Sequence, residues 1–468
     1  MRFLQTGFFL VLLAHVAHAQ DSTFTYSIAA QAAATTSQTP FWLRANQFGM
    51  FPAEGSFGSA QAGLYKRYSS SSSFIKWSAG AEVVAFGGPK TDLFLTDAYA
   101  AIRLGPLEIS AGQRKETVGL QDTTLTSGSL AWSANSRPMP RIQVALPQFV
   151  SLGFTGHFLA FKGSYSDGLM GSAAVQYGNV TEVPDTYMHH KSLYLRLGKP
   201  THRLHLFGGF NHQVMWGGEY LIFTGGLSPA EAYKYSILGK SWASSRVGNH
   251  FGTIDLGAKW KGKTWTYFLY RQNIYEDGSL SELTNISDGL NGLSILRNEP
   301  GFTGSSCLKA FLVEFVATKS QGGRIFDFQN GIFGRDNYYN HYVYTQGWSY
   351  RGNNLGTPLA PSQDVLREDL PRSDSSFTTN NRFLALHLGA TAQVQAMEVQ
   401  ARATLSQNFG TYSLPFTRTQ LSLLLRAEKP VAFAGGSLLS IQAAADMGGL
   451  YPQSFGLMVG WRKRGVFQ

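Results

Sequence analysis

The feature that most constrains this chain is an alternation of apolar and polar side chains with a period of two, sustained over segments of about ten residues and repeated along its length. In residues 74–86, Ile75, Trp77, Ala79, Ala81 and Val83 share one face, and Lys76, Ser78, Gly80 and Glu82 share the other. The last stretch behaves the same way, with Phe455, Leu457, Val459 and Trp461 alternating with Gly456, Met458, Gly460 and Arg462 before Val466-Phe467-Gln468. A period of two is that of a strand. In a soluble sandwich the polar face meets bulk water; in a membrane barrel the apolar face meets lipid and the polar face meets the lumen.

Composition selects between these. Only 15% of the residues are charged, where soluble domains carry about a quarter, yet the mean hydropathy is slightly negative at -0.12. A helical membrane protein needs unbroken apolar stretches of about 20 residues, and none follows the N-terminus. Disorder is excluded by an aromatic content of 13%, too high for a chain that buries no core.

Similar segments recur at 24–33, 59–68, 98–105, 107–114, 151–161, 171–177, 192–198 and 203–210, and again at 252–260, 264–271, 308–317, 382–391, 393–405, 421–428 and 438–445. At roughly 25 residues per strand and connection, the chain holds about 16 to 20 strands, within the range of outer-membrane barrels. Gly87-Gly88, Lys261-Gly262-Lys263 and Gly435-Gly436 supply turn signals between paired segments. The expected fold is therefore an all-β transmembrane antiparallel barrel. Insertions interrupt it near 116–147, 275–304 and 331–381, lengths that belong to functional or disordered loops. One short helix is expected over 228–239, where Ser228-Pro229-Ala230-Glu231 forms a capping box with Pro at the first helical position and Gly239 suits the stop. It would fit a plug or a cover over one barrel mouth.

Residues 1–19 read as a signal peptide, with Arg2, an apolar run from Phe8 to Ala14, and Ala17-His18-Ala19 before an expected mature start at Gln20. The single cysteine, Cys307, rules out an internal disulfide framework. The formal charge is +10, one less without Arg2, and it is spread out rather than gathered in a nucleic-acid-type run. Anionic lipid headgroups, lipopolysaccharide phosphates or anionic polysaccharide match it better than DNA or RNA.

No nucleotide loop, zinc spacing or nucleophile elbow appears, so neither catalysis nor a cofactor is expected. His189-His190 does not read as a metal pair, because adjacent strand residues point to opposite faces. His212 in Asn211-His212-Gln213-Val214-Met215-Trp216-Gly217-Gly218 is ordinarily a hydrogen-bonded rim histidine. With Trp216 it would instead suit sugar hydroxyls and a flat sugar face. Ser133-Ala134-Asn135-Ser136-Arg137-Pro138-Met139-Pro140-Arg141 carries two prolines spaced by one residue, which forbid helix and central strand alike. It reads as a structural loop pinned by hydrogen bonds or as a lumen constriction presenting Asn135 and Arg137. Tyr338-Tyr339-Asn340-His341-Tyr342 and Gly347-Trp348-Ser349-Tyr350-Arg351-Gly352 read as an interfacial aromatic belt or as a stacking platform using Tyr339 and Trp348.

These stretches, with Gly128-Ser129-Leu130, Asp336-Asn337 and the opening Pro40-Phe41-Trp42-Leu43-Arg44-Ala45-Asn46-Gln47-Phe48-Gly49, resemble the signature of the Wzi-type capsule assembly family in order along most of the chain. The resemblance implies an outer-membrane β-barrel of about 18 strands and a lectin-like, non-catalytic role in attaching capsular polysaccharide. Enterobacterial members carry a helical bundle at the periplasmic end; here residues 20–39 read as strand. The expected binding residues are Asn135, Arg137, His212, Trp216, Tyr339 and Trp348, in a monomeric barrel of the bacterial outer membrane. The competing expectation is a substrate-specific porin for oligosaccharides.

Overall fold

The structure, a computed structural model, describes residues 23–223, 225–242, 245–276, 284–298, 306–327 and 332–467. The expected signal peptide lies outside the described residues. Eighteen strands form one sheet. They are β1 (Phe24–Thr35), β2 (Phe57–Lys66), β3 (Ile75–Gly87), β4 (Asp92–Leu104), β5 (Leu107–Gln113) and β6 (Arg141–Ser151). Next come β7 (Leu159–Tyr177), β8 (Val180–Leu197), β9 (Leu204–Trp216), β10 (Asn249–Lys261), β11 (Trp265–Glu276) and β12 (Gly289–Arg297). The last six are β13 (Ser306–Ala317), β14 (Phe383–Val394), β15 (Met397–Gly410), β16 (Pro415–Val431), β17 (Ser437–Gly448) and β18 (Ser454–Val466). Each pairs antiparallel with the next, and β18 returns to β1 with Thr25 opposite Val466 and Thr35 opposite Gly456. Closure leaves the sheet without an edge, the condition under which strands can cross a bilayer.

The alternation maps onto the two faces of this wall. Ile75, Trp77 and Val83 point outward and are exposed, while Ser78, Glu82 and Val84 point inward and are buried. Outward leucines and isoleucines such as Leu64, Ile102, Ile109, Leu256, Leu269 and Leu457 stay uncovered around the circumference. So large an apolar belt would be unstable in water and is stable against lipid.

Both described ends of the chain lie at one rim. There the strands are joined by short connections such as 105–106, 262–264 and 395–396, whereas 36–56, 114–140 and the described parts of 217–248 and 318–382 all emerge at the other rim. Short turns belong to the periplasmic side of such barrels and long loops to the extracellular side. β7 and β8 are longer than the rest and carry their hairpin, closed by Gly178-Asn179, beyond the extracellular rim.

Four local readings change. Residues 151–161 are not one strand but the turn between β6 and β7, with a 3-10 turn at Gly153–Thr155 and Gly156 in the left-handed region at φ 61°. Residues 393–405 straddle the two-residue turn between β14 and β15, where Gln395 has φ 53°. The stretch 116–147 contains most of the first half of β6, hidden because Pro147 sits at a bulge where the pairing jumps from Leu146 to Val150. The stretch 275–304 contains β12. Its glycines looked like loop, but a Cβ on Gly292 would lie 2.3 Å from the Tyr270 ring, so glycine is needed for strand packing there.

Candidate functional site

Loop backbone at membrane depth is tolerated only where it is buried in protein with its polar groups satisfied. The segment 114–140 meets that condition by crossing the lumen and bonding to inward side chains of the opposite wall. Asp255 on β10 accepts from the Leu120 N–H at 2.8 Å. Gln272 on β11 accepts from the Leu130 N–H at 2.9 Å and the Ser129 hydroxyl at 3.0 Å. Glu314 on β13 accepts from the Ser127 N–H at 2.6 Å and the Thr126 hydroxyl at 2.7 Å. His387 on β14 contacts the Leu125 carbonyl at 2.8 Å, and Arg402 on β15 donates to that of Thr124 at 2.5 Å. A short helix, α1 (Phe41–Arg44), fills the remaining sector: Asp446 on β17 accepts from the Phe41 N–H at 2.8 Å and the Trp42 indole donates to Thr404 at 3.1 Å. Leu125, Leu130 and Ala131 are fully buried in one apolar cluster that joins this plug to walls all round.

The segment 318–382 roofs the plug. Tyr339, with φ 69°, donates from its hydroxyl to the Leu130 carbonyl at 3.1 Å, and the Trp348 indole donates to Ala131 at 3.1 Å. Asp288 anchors the base of this lid, accepting from the N–H groups of Ser320 and Gln321 and from the Tyr338 hydroxyl. Burial pushes the Asp288 carboxyl up. The lid then runs to the far rim, where the N–H of Gln176 bonds Val343 and that of Thr345 bonds Ala174, adding a short rung to β7.

A third segment, 217–248, carries two helices, α2 (Glu219–Ile222) and α3 (Pro229–Leu238). The Ser228–Glu231 capping box is present, and Gly239 ends α3 in the left-handed region. Contrary to the expected cover over a barrel mouth, α3 lies against the outside of the wall. The cause is a run of outward side chains on β8 and β9: Val214 and Trp216 pack with Leu227, Ala232 and Val247, and Lys191 donates to the Ile237 carbonyl at 2.5 Å. Tyr233 of α3 donates to Asp167 on β7 at 2.8 Å.

Between the β7–β8 hairpin, the lid and this outer flap opens a cleft of about 990 Å³ on the extracellular side. Its lining includes Tyr177, Tyr220, Phe223, Arg246, His341 and Tyr342. Tyr220 and Tyr342 are more than half exposed. Tyr177 packs on Phe223 with ring centroids 4.8 Å apart. At the base, the Tyr344 hydroxyl donates to the Gly217 carbonyl at 2.8 Å and reaches Glu219 at 3.2 Å, tying lid to flap. Burial pushes the Glu219 carboxyl up. Burial, helped by nearby His250, lowers His341 to about 3, so its Nδ1 is free of a proton and accepts from the Val343 and Tyr344 N–H groups. Aromatic faces beside amide, hydroxyl and guanidinium groups at a wet rim suit a ligand with flat apolar faces and many hydroxyls.

The six residues expected to bind do not converge on one surface. Asn135 is buried and donates to the Asn354 carbonyl at 3.1 Å. Arg137 pairs with Asp92 at 2.6 Å and lies 3.4 Å over the Phe94 ring. Tyr339 and Trp348 are buried in the lid–plug contact. His212 faces outward under the flap, 3.0 Å from His250 Nδ1, and Trp216 stacks on Tyr187 at 4.8 Å. His189 and His190 point to opposite faces, toward Asp167 and Asn211 respectively. Among the described residues no three His, Cys, Asp or Glu side chains converge as a metal needs. Tyr342 lies in the 338–342 stretch read as an aromatic belt or stacking platform, whereas Tyr177 and Tyr220 escaped sequence reasoning because the cleft draws on three segments far apart in the chain.

The sequence profile of the capsule assembly protein Wzi matches residues 15–365. No curated protein matches the chain. Among solved structures, the chain is similar to Wzi of Escherichia coli, described as an outer membrane protein involved in group 1 capsule assembly and a carbohydrate-binding β-barrel, with 15% identity over 94% of this chain and 85% of that one and a TM-score of 0.59. OccAB4 of Acinetobacter baumannii matches at 9% identity over 95% and 99% of the two chains, with a TM-score of 0.48. OccK10 of Pseudomonas aeruginosa matches at 8% over 95% and 100%, also at 0.48.

Proposed function

Because this chain belongs to the Wzi capsule assembly family, we propose that it is an outer-membrane lectin that holds capsular or other surface polysaccharide in its extracellular cleft. It does so without catalysis and as a monomer. The observation that carries the reading is an aromatic cleft of about 990 Å³ at the extracellular rim, above a lumen filled by its own loops. Tyr177, Tyr220 and Tyr342 stack on sugar faces, while Arg246 and Asn179 bond hydroxyls or carboxylates. Asn135, Tyr339 and Trp348 set the height of the lid, Arg137 ties the plug to β4, and His212 and Trp216 set the position of the flap. Their contribution to affinity is therefore through the shape of the cleft. The outward belt sits among lipid and lipopolysaccharide acyl chains, and the mature chain begins at or close to Gln20.

The test is binding of purified protein to the host's own capsule or exopolysaccharide. Tyr220→Ala and Tyr342→Ala should each weaken it by about three- to tenfold, the worth of an aromatic contact. Loss of the protein should release glycan from the cell surface. Undiminished binding by the double variant would sink the cleft as the site. The porin reading is tested separately by bilayer conductance: the filled lumen predicts no steady open-pore current.

A further inference from the structure

A second cavity, of about 250 Å³, lies below the plug on the periplasmic side, between residues 114–119, β6, β7 and β8. Lys162, Arg114, Gln143, His190 and Tyr194 line it. Arg114 is already committed to Glu108 and Glu116, and Glu116 also pairs with Arg141, so those charges are balanced. Lys162 differs. Among the described residues it has no hydrogen bond and no carboxylate at ion-pairing distance; its ammonium rests 5.0 Å from the Tyr194 ring and 5.4 Å from the Phe149 ring. A half-buried ammonium that meets ring faces, and otherwise only the more distant charge of Asp255, whose Oδ2 already accepts from Leu120 and Tyr194, has no direct hydrogen-bond acceptor of its own among the described residues.

His190 supplies a second, independent sign. It is 1% exposed, and its Nε2 lies 3.0 Å from the side-chain oxygen of Asn211, which assigns the proton to Nε2. Nδ1 is thereby a bare acceptor, and it has no partner although it is buried beside the cavity. Lys76, Arg196, Lys259 and Arg464 also point inward below the plug, with no carboxylate at ion-pairing distance among the described residues. The chamber leading to the cavity therefore attracts anions.

One cation without a direct acceptor, one bare acceptor, neutral Gln143, Ser164 and Ser192, and a tyrosine face together match a sugar that bears one carboxylate. A phosphate would call for several converging cations. We propose that this pocket is a second carbohydrate site, facing the periplasm, that takes a uronic acid unit: carboxylate on Lys162, a hydroxyl donating to His190 Nδ1, and the ring against Tyr194. It stands on observations separate from the cleft, on the other side of the plug.

The experiment titrates D-glucuronate, D-glucose and inorganic phosphate into the purified full chain in detergent, read by ligand-observed NMR. Glucuronate should bind at least tenfold more tightly than glucose or phosphate. Lys162→Gln should lose at least tenfold, and Lys162→Arg, which keeps the charge, should recover most of it. The Tyr220→Ala/Tyr342→Ala variant should bind glucuronate as the parent does even where its capsule binding is lost. Equal binding of phosphate, no loss in Lys162→Gln with the barrel folded, or loss in the double cleft variant would each overturn the site.

Discussion

Glu314 gathers four hydrogen bonds where the plug meets the wall. Its buried carboxylate accepts from the Ser127 N–H at 2.6 Å, the Ser127 hydroxyl at 2.5 Å, the Thr126 hydroxyl at 2.7 Å and the Tyr270 hydroxyl at 2.6 Å. Hydrogen bonds to a charged acceptor contribute about 1.5–3 kcal/mol each when taken singly, and less when they share one group. Against this stands the cost of keeping the carboxylate itself out of water. Glu314→Ala removes both, leaves the Ser127 N–H without an acceptor in a dry setting, and should loosen the plug locally by about 3–4 kcal/mol. At 1.4 kcal/mol per decade, the open population rises by about 10²–10³. The strand ladder around residue 314 is backbone-made and survives. Hydrogen exchange of the amides at 125–130 should accelerate by that factor, and brief conductance bursts should appear in planar bilayers. Exchange and conductance unchanged from the parent would refute the idea that wall side chains hold the plug.

Ser228→Ala removes the cap that accepts from the Glu231 N–H and should cost about 1 kcal/mol; faster exchange in α3 and altered Trp216 fluorescence would show it. Acidification should loosen the lid through His341, whose folded-state value of about 3 lies below the ordinary 6.5. The stabilisation is complete above pH 6.5 and is lost as pH falls toward 3, because only the opened state takes up the proton. With the ring partly exposed, about 1 kcal/mol should go between pH 7 and 5; protease nicking of the lid should rise over that range and stay flat in His341→Gln. Val459→Arg places a charge on the lipid face of β18 and should cost about 2–4 kcal/mol of barrel stability, measured by urea unfolding in vesicles.

The barrel was legible because lipid enforces its alternation strictly: the outward positions of β3 and β18 must be apolar, and the inward ones need not be. β6 and β12 were hidden where packing outweighs pattern, at the Pro147 bulge and at Gly292 beneath the Tyr270 ring. α3 could be read because its cap is made by residues three apart, yet nothing local said on which side of the wall it lies. Of the cleft, only the 338–342 stretch was legible, as an aromatic belt or stacking platform that holds His341 and Tyr342. Tyr177, Tyr220 and Tyr342 are brought together only by closure of the barrel and by the rung between Val343 and Gln176.

The motif stretches have a physical explanation in one another. Asn135 bonds Asn354, Ser133 bonds Leu355 and Gly356, Tyr339 bonds Leu130, and Trp348 bonds Ala131. The stretch 128–141 and the stretch 338–356 are thus two halves of one lid–plug joint. Glycines, prolines and aromatics at fixed places are what such a joint needs, since its backbone must fold tightly and its large rings must fill the lumen.

The same joint decides how the chain uses its charge. In an open pore the inward polar side chains would be solvated and could meet a passing solute. Here Asp255, Gln272, Glu314, His387, Arg402 and Asp446 are engaged by loop backbone, so the lumen is divided into two chemically different spaces. Above the plug the cleft is aromatic and carries few charges. Below it, among the described residues, stand cations with no carboxylate at ion-pairing distance, Lys162 and Lys259 among them, each resting on ring faces. The positive balance of the chain, which pointed only to some anionic partner, therefore bears more on the periplasmic chamber than on the outer face. Adhesion at the outer rim must rest mainly on stacking and hydrogen bonding. Raised salt should accordingly weaken glucuronate binding below the plug far more than polysaccharide binding in the cleft, because the former centres on the Lys162 ammonium whereas in the cleft Arg246 is one contact among stacked rings.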